Sequence, residues 1–425
     1  MTNDTAFQMS ASNIRCGSGV TQEIGMDLVE LGARRTLLVI DPALVNSGPG
    51  QTVVESLKRN HIDFVLYDRV QVEPTDVSFQ DAARFAVDGK FDTYVAVGGG
   101  STIDTAKAAN LYATYPADFF NYVNAPIGRG MPVPGPVKPL IAVPTTAGTG
   151  SETTGVAIFD WLEKKAKTGI AHRYLKPMLG IIDSDNTRTM PPAVAAASGL
   201  DVLSHALESY TAIPFHARPK PARPIERPAY QGANPISDVW SIRALEILAK
   251  FLPRAYDDPS DDEARSQMLL AAAIAGIGFG NAGVHLPHGM SYPVAGMVRD
   301  YMPPGYRVDH PLIPHGVSVI LHTPAVVRFT ASIDPQRHLR AAEALGADVS
   351  GASWEDAGNI LAERVIWFMQ RLGMPNGLKA VGYTQSDIPS LVAGTLPQHR
   401  VTKLSPRPAG EAELASLFRD SMTIW

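Results

Sequence analysis

Short apolar runs rich in β-branched residues, separated by segments of helical periodicity, constrain the first 190 residues more than any other feature. The runs are RTLLVID (35–41), DFVLYD (63–68), TYVAVGGG (93–100), PLIAVPTT (139–146) and LGIID (179–183), with QTVVESLKRN and SFQDAARFAVDG among the segments between them. Strands joined through helices pair in parallel and are covered on both faces, which suits runs apolar along their whole length. The pattern predicts an α/β domain with a parallel sheet over residues 1–190, an architecture that often holds nucleotides.

After MPP (190–192) the texture changes to long helical patterns, among them SDVWSIRALEILAKFLPRAY (237–256) and DEARSQMLLAAAIAGIG (262–278). A chain of 425 residues exceeds the roughly 250–300 that one core usually serves. Residues 191–425 are therefore expected to form a second, all-α domain. Within it, IPFHARPKPARPIERPAYQGANP (213–235) is too rich in proline for a helix and reads as a lid, a binding loop or a disordered excursion. The longest apolar stretch, Met268 to Gly280, is shorter than the roughly 20 residues of a membrane span and reads as a buried helix. A net charge of −5 without a basic stripe argues against nucleic-acid binding. Cys16 is the only cysteine, which excludes an internal disulfide and a cysteine metal site. With the polar start MTNDTAFQMS, it predicts a cytoplasmic protein.

TYVAVGGGSTIDTAK (93–107) is a strand, a glycine turn and a helix start. Gly98, Gly99 and Gly100 permit close approach of a ligand, Ser101 can cap the helix with Asp104 three residues on, and helix N–H groups suit a pyrophosphate. The spacing is not GxGxxG, and a purely structural turn reads the same way. Asp41 follows an early strand where a carboxylate can accept from a ribose diol and repel a 2′-phosphate, favouring NAD over NADP. It can equally serve as a turn residue before Pro42. PTTAGTGSETT (144–154) adds a second glycine and hydroxyl cluster after a strand.

GLDVLSHALESY (199–210) places Asp201 and His205 four apart on an apolar helix, so both can reach one ion or simply bond each other. GNAGVHLPHGMSYPVAG (280–296) and VDHPLIPHGVSV (308–319) add His285, His288, His310 and His315. Three imidazoles and one carboxylate make a divalent transition-metal site. Spacing leaves the choice among these histidines, and Glu208, open.

In this order GGGSTIDTAK, PTTAGTGSETT, GLDVLSHALESY, LPHGMSYPVAG and IPHG resemble the iron-dependent alcohol dehydrogenase family over nearly the whole chain. The resemblance implies that family's fold, shared in outline with dehydroquinate synthase: an N-terminal dinucleotide-binding domain and a C-terminal metal-binding domain. It implies Asp201, His205, His288 and His315 as ligands of Fe²⁺, or of Zn²⁺ as in some members. It further implies NAD contacts at Gly99, Ser101, Asp104, Thr145, Thr146, Thr149 and Lys167, and a homo-oligomer. His285 and His310 then fall outside the ligand set, His285 staying a candidate for proton transfer.

Many members carry another histidine where this chain has Tyr292, and a phenol, with a reference pKa of about 10, is a poor base unless a cation adjoins it. HGMSYP, RPAYQGANPISD (227–238) and LPQHRVTKLSPRP (396–408) resemble the hydroxyacid–oxoacid transhydrogenase branch. That branch implies oxidation of 4-hydroxybutyrate to succinate semialdehyde, with the hydride passed through bound NAD to 2-oxoglutarate to give 2-hydroxyglutarate. An ordinary NAD-dependent alcohol or 4-hydroxybutyrate dehydrogenase, a dehydroquinate-synthase-like lyase and a binding protein with a purely structural metal are the alternatives. Acid substrates need a cationic anchor, for which Arg173, Arg218, Arg223, Arg227, Arg400 and Lys403 are the candidates, with the 213–235 loop expected to supply one.

Overall fold

A computed structural model describes residues 2–164, 166–306 and 308–425. The chain divides into two compact units, Ser10–Met190 and Pro191–Trp425, the second including the residues up to Met9.

In the first unit a parallel sheet has the order β1 (Ile14–Cys16), β8 (Leu179–Ile182), β5 (Leu140–Pro144), β4 (Thr93–Gly98), β2 (Thr36–Ile40), β3 (Phe64–Tyr67). Alternate residues go to opposite faces, and both faces are buried. Leu38, Ile40, Val95 and Val97 pack with Ile24 and Leu28 of α1 (Ile24–Glu30) and with Val53 and Leu57 of α2 (Gly48–Arg59). Leu37, Val39, Tyr94 and Ala96 pack with Ala82 and Ala86 of α3 (Asp76–Gly89) and with Ile103 and Ala106 of α4 (Gly100–Thr114). This double burial is why the runs lack polar alternation. A short helix, α5 (Phe119–Tyr122), precedes β5. The sequence pattern missed edge strand β1 and an antiparallel hairpin, β6 (Val156–Trp161) with β7 (Ala166–Ala171). In the hairpin polar Asp160 and Lys167 interrupt the apolar run that marks a strand.

From β2 the chain moves outward to β3, whereas from β4 it moves the other way to β5. The β2/β4 boundary is thus the point where the winding reverses, and ligands of such sheets bind beyond the carboxyl ends of the strands there.

The second unit is helical: α6 (Pro192–Thr211), α7 (Pro235–Asp257), α8 (Asp262–Ala282), α9 (Leu286–Gly296), α10 (His315–Ile320), α11 (Thr323–Thr330), α12 (Pro335–Ala344), α13 (Ala357–Arg371), α14 (Ile388–Thr395), α15 (His399–Thr402) and α16 (Glu411–Asp420). α6 lies against α7, α8 and α10. α8 is the apolar stretch anticipated as a core helix, and its residues from Ala271 to Phe279 are all buried. No single helix among the described residues is long and apolar enough to cross a membrane.

The 213–235 segment contains only short 3-10 turns, Phe215–Ala217 and Pro224–Glu226. It is held by buried Asp4, which accepts from Arg227 Nε and Nη2 at 2.9 and 3.0 Å and lies 2.8 Å from Arg218 Nη2. Arg223 pairs with Glu226 on the surface. Arg218 and Arg227 fasten the loop to the amino-terminal residues, and each of the three arginines already meets a carboxylate.

Candidate metal centre

α6 is apolar almost all round: Leu200, Val202, Leu203 and Ala206 have no exposed surface. Asp201 and His205, one turn apart on it, are carried into the interior, where polar groups need partners. α9 contributes His288 and α10 contributes His315. The Nε2 atoms of His205, His288 and His315 lie 3.6, 3.7 and 3.8 Å from Oδ1 of Asp201. One donor atom from each of the four lies within 4.8 Å of every other. Tetrahedral bonds of 2.0–2.2 Å separate ligand atoms by about 3.3–3.6 Å, so this spacing is close to what a transition-metal ion requires.

Two packing features hold the rings. His205 stacks on Phe279 at 3.9 Å between centroids and on His288 at 4.8 Å. The glycine after each of two histidines permits close packing: a Cβ on Gly316 would lie 1.9 Å from the Ala197 carbonyl oxygen of α6, and one on Gly289 would lie 2.7 Å from Thr402 Cγ2.

His288 shows that the donors fit a cation. Its Nδ1 is 2.6 Å from Glu208 Oε1, while its buried Nε2 has no hydrogen-bond partner among the described residues. An imidazole donating Nδ1–H to a carboxylate turns the Nε2 lone pair toward the cluster, as a ligand must. Glu208 Oε2 also accepts from the His285 backbone N–H at 2.6 Å. Glu208 thus orients a donor from behind, although its place one turn after His205 had made it a rival ligand. His285 and His310 stand apart: His285 Nε2 meets Thr211 Oγ1 at 3.0 Å, and exposed His310 pairs with Asp309. Burial pushes His285 down to about 4, so it is a weak proton acceptor at neutral pH.

In the α/β unit the glycine turn and the 144–154 segment meet. Thr145 N–H donates to the Gly98 carbonyl at 3.1 Å. A Cβ on Gly99 would lie 3.2 Å from Thr146 Oγ1, and one on Gly100 would lie 2.5 Å from Thr149 Cγ2. Gly98, Gly99, Gly100, Thr145, Thr146 and Thr149 therefore form one cluster at the carboxyl ends of β4 and β5. Asp41 follows β2, with Oδ1 accepting from Ala43 N–H at 2.9 Å.

The expected Ser101–Asp104 cap is not formed. Gly99 is the N-cap of α4, without a side-chain cap, and Ser101 Oγ accepts from the Glu73 N–H. Asp104 is drawn inward instead, pairing with buried Lys107, bonding Ser151 and accepting from Ile158 N–H at 2.9 Å. Lys167, on β7, is also buried and clasped by Glu73 at 2.6 Å and Asp160 at 3.0 Å. Burial would lower its pKa, but these two carboxylates outweigh that and raise it.

Tyr292 lies one turn beyond His288 on α9, and its hydroxyl accepts from Arg400 Nη2 at 3.0 Å. Arg400 is the charged group in contact with this phenol. No sequence signal joined two residues 108 apart.

Residues 11–184 match the model of the iron-containing alcohol dehydrogenases, and residues 225–422 match that family's C-terminal model. The mitochondrial hydroxyacid-oxoacid transhydrogenase of Bos taurus is 59% identical over 426 residues, covering 100% of this chain and 91% of the relative. That of Xenopus tropicalis is 61% identical over 422 residues, covering 99% and 91%. Among solved structures, a 1,3-propanediol oxidoreductase superposes with a TM-score of 0.85 at 26% identity, covering 98% of this chain and 100% of that one. An alcohol dehydrogenase from Oenococcus oeni gives 0.85 at 25%, with the same coverage.

The relatives' names correct one expectation: they are mitochondrial, which points away from the cytoplasm. A lone thiol reports a reducing interior, and more than one compartment provides that. With both halves matched and full-length identity near three fifths, the chain belongs to the iron-containing alcohol dehydrogenase family and stands within it among the hydroxyacid-oxoacid transhydrogenases.

Proposed function

We propose that this protein is a metal-dependent oxidoreductase that moves a hydride from a hydroxy acid, through a retained NAD, to an oxo acid. The pair is 4-hydroxybutyrate and 2-oxoglutarate, giving succinate semialdehyde and 2-hydroxyglutarate. The observation that carries the reading is the buried convergence of Asp201, His205, His288 and His315, with His288 oriented by Glu208. A divalent cation there would polarise an alcohol or ketone oxygen, and the nicotinamide would carry the hydride.

The chain's own residues prepare both halves. Three neutral imidazoles and one carboxylate contribute a single negative charge, leaving a centre with a divalent ion net positive. Mixed nitrogen and oxygen donors suit Fe²⁺, with Zn²⁺ accommodated by the same set. Asp201, His205 and His288 are each less than 5% exposed, so bulk water is kept from these donors. In the α/β unit, the N–H groups of uncapped α4 and the hydroxyls of Thr145, Thr146 and Thr149 would receive the pyrophosphate, and Asp41 a ribose diol.

The test is turnover without added cofactor. Purified enzyme given 4-hydroxybutyrate and 2-oxoglutarate should form 2-hydroxyglutarate with no NAD in the buffer. Strict dependence on added NAD would replace the proposal with an ordinary dehydrogenase that releases its cofactor each cycle.

A further inference from the structure

Arg400 has a setting unlike that of the three arginines of the 213–235 segment. It sits on α15, which packs against α9 where a Cβ on Gly289 would touch Val401 and Thr402. Its Nη2 donates to the Tyr292 hydroxyl at 3.0 Å, and its guanidinium carbon lies 5.0 Å from the centre of the Tyr230 ring. Its Nη1 is buried and has no hydrogen-bond partner among the described residues. The groups facing it are two phenols, whereas Arg218, Arg223 and Arg227 each meet a carboxylate. A guanidinium cannot shed its proton, so one on a partly buried side chain with its Nη1 buried and no anion beside it is costly until an anion arrives.

Two lines of contact tie this cation to the metal cluster. Tyr292 and His288 are four apart on α9 and share a face. The Tyr230 ring lies 6.5 Å from Phe279, which in turn stacks on His205. Because the Tyr292 oxygen accepts from Arg400, its own proton points elsewhere and offers a second donor.

We propose that Arg400 and Tyr292 form the subsite for the remote carboxylate of the substrate, an inference that rests on the hydroxy-acid reading above. Four residues of helix rise about 6 Å. An extended acid whose carboxyl carbon lies four bonds from the reacting oxygen spans about 5 Å. That spacing holds for 4-hydroxybutyrate and equally for the distal carboxylate of 2-oxoglutarate. One fixed anchor therefore serves both half-reactions, and it excludes 2-hydroxy acids whose only carboxylate adjoins the reacting carbon.

The experiment compares wild type with Arg400→Gln, Arg400→Lys and Tyr292→Phe in the metal-loaded, NAD-bound enzyme. The quantity read is kcat/KM for 4-hydroxybutyrate divided by that for butan-1-ol. Arg400→Gln should lower this ratio roughly 10- to 100-fold, mainly through KM, with Lys restoring part and Tyr292→Phe costing less. Butyrate, which has the carboxylate and no hydroxyl, should raise the melting temperature of wild type and leave Arg400→Gln unmoved. An unchanged ratio, or equal stabilisation of both proteins by butyrate, overturns the subsite. If wild type oxidises butan-1-ol but no hydroxy acid, the transhydrogenase reading falls, and the butyrate melting shift alone decides the subsite.

Discussion

Glu152 shows how one side chain can set the pH response of the α/β unit. It follows the 144–150 stretch, is 2% exposed, and its Oε1 has no hydrogen-bond partner among the described residues. Burial pushes its carboxyl up to about 7, against the weaker pull of Lys107. A raised acid holds its proton in the folded state where the unfolded chain has lost it. Its contribution is therefore whole below the unfolded value of 4.5 and is lost as pH climbs through 7. Glu152→Gln should match wild type near pH 4.5 and exceed it above pH 7 by up to about 3 kcal/mol. Urea denaturation followed across that range checks this, and parallel curves would refute it. At this scale the sequence was readable where a side chain acts within its own turn, as for Asp201 and His205. It misled at Ser101 and Asp104, because Lys107 and Ser151 offer Asp104 a buried partnership that outcompetes capping.

At the scale of elements, the glycines after His288 and His315 explain why the histidines sit in HG pairs. Gly316 brings α10 against α6 so closely that a Cβ would overlap the Ala197 carbonyl and touch Asp201 Cβ at 3.0 Å. Backbone cannot yield as a flexible side chain does. Gly316→Ala should push α10 away, carry His315 out of the cluster and lower bound metal at least 10-fold. Elemental analysis of the purified variant tests this, and full metal occupancy would show that the helices can part without cost to the site. α6, α7 and α8 were visible in the sequence as long apolar helical patterns, whereas nothing in the periodicity marked α9 and α10. β1, β6 and β7 were not, since a three-residue edge strand and a hairpin with Asp160 and Lys167 carry too little apolar alternation.

For the whole molecule, each of the two units buries apolar residues of its own and carries its own candidate ligand groups. Calorimetry should resolve two transitions. Chelation should lower only that of the helical unit, and stripping the retained NAD should lower that of the α/β unit. A ligand at 100 times its Kd adds about 2.7 kcal/mol, or about 5–10 °C for units of this size. A chelator that moves neither transition would contradict a cation held by Asp201, His205, His288 and His315. What the sequence determined by itself was local and periodic: the parallel α/β half, the helical half, and an acid and imidazole one turn apart. Spacing left open which of His285, His288, His310 and His315 join that pair and which of the arginines lies beside Tyr292; the family resemblance named His288 and His315, and tertiary packing brings them there. Neighbours within a turn follow from helix geometry alone, whereas partners 80 or 108 positions apart, such as Glu208 with His288 and Tyr292 with Arg400, meet only where whole helices dock.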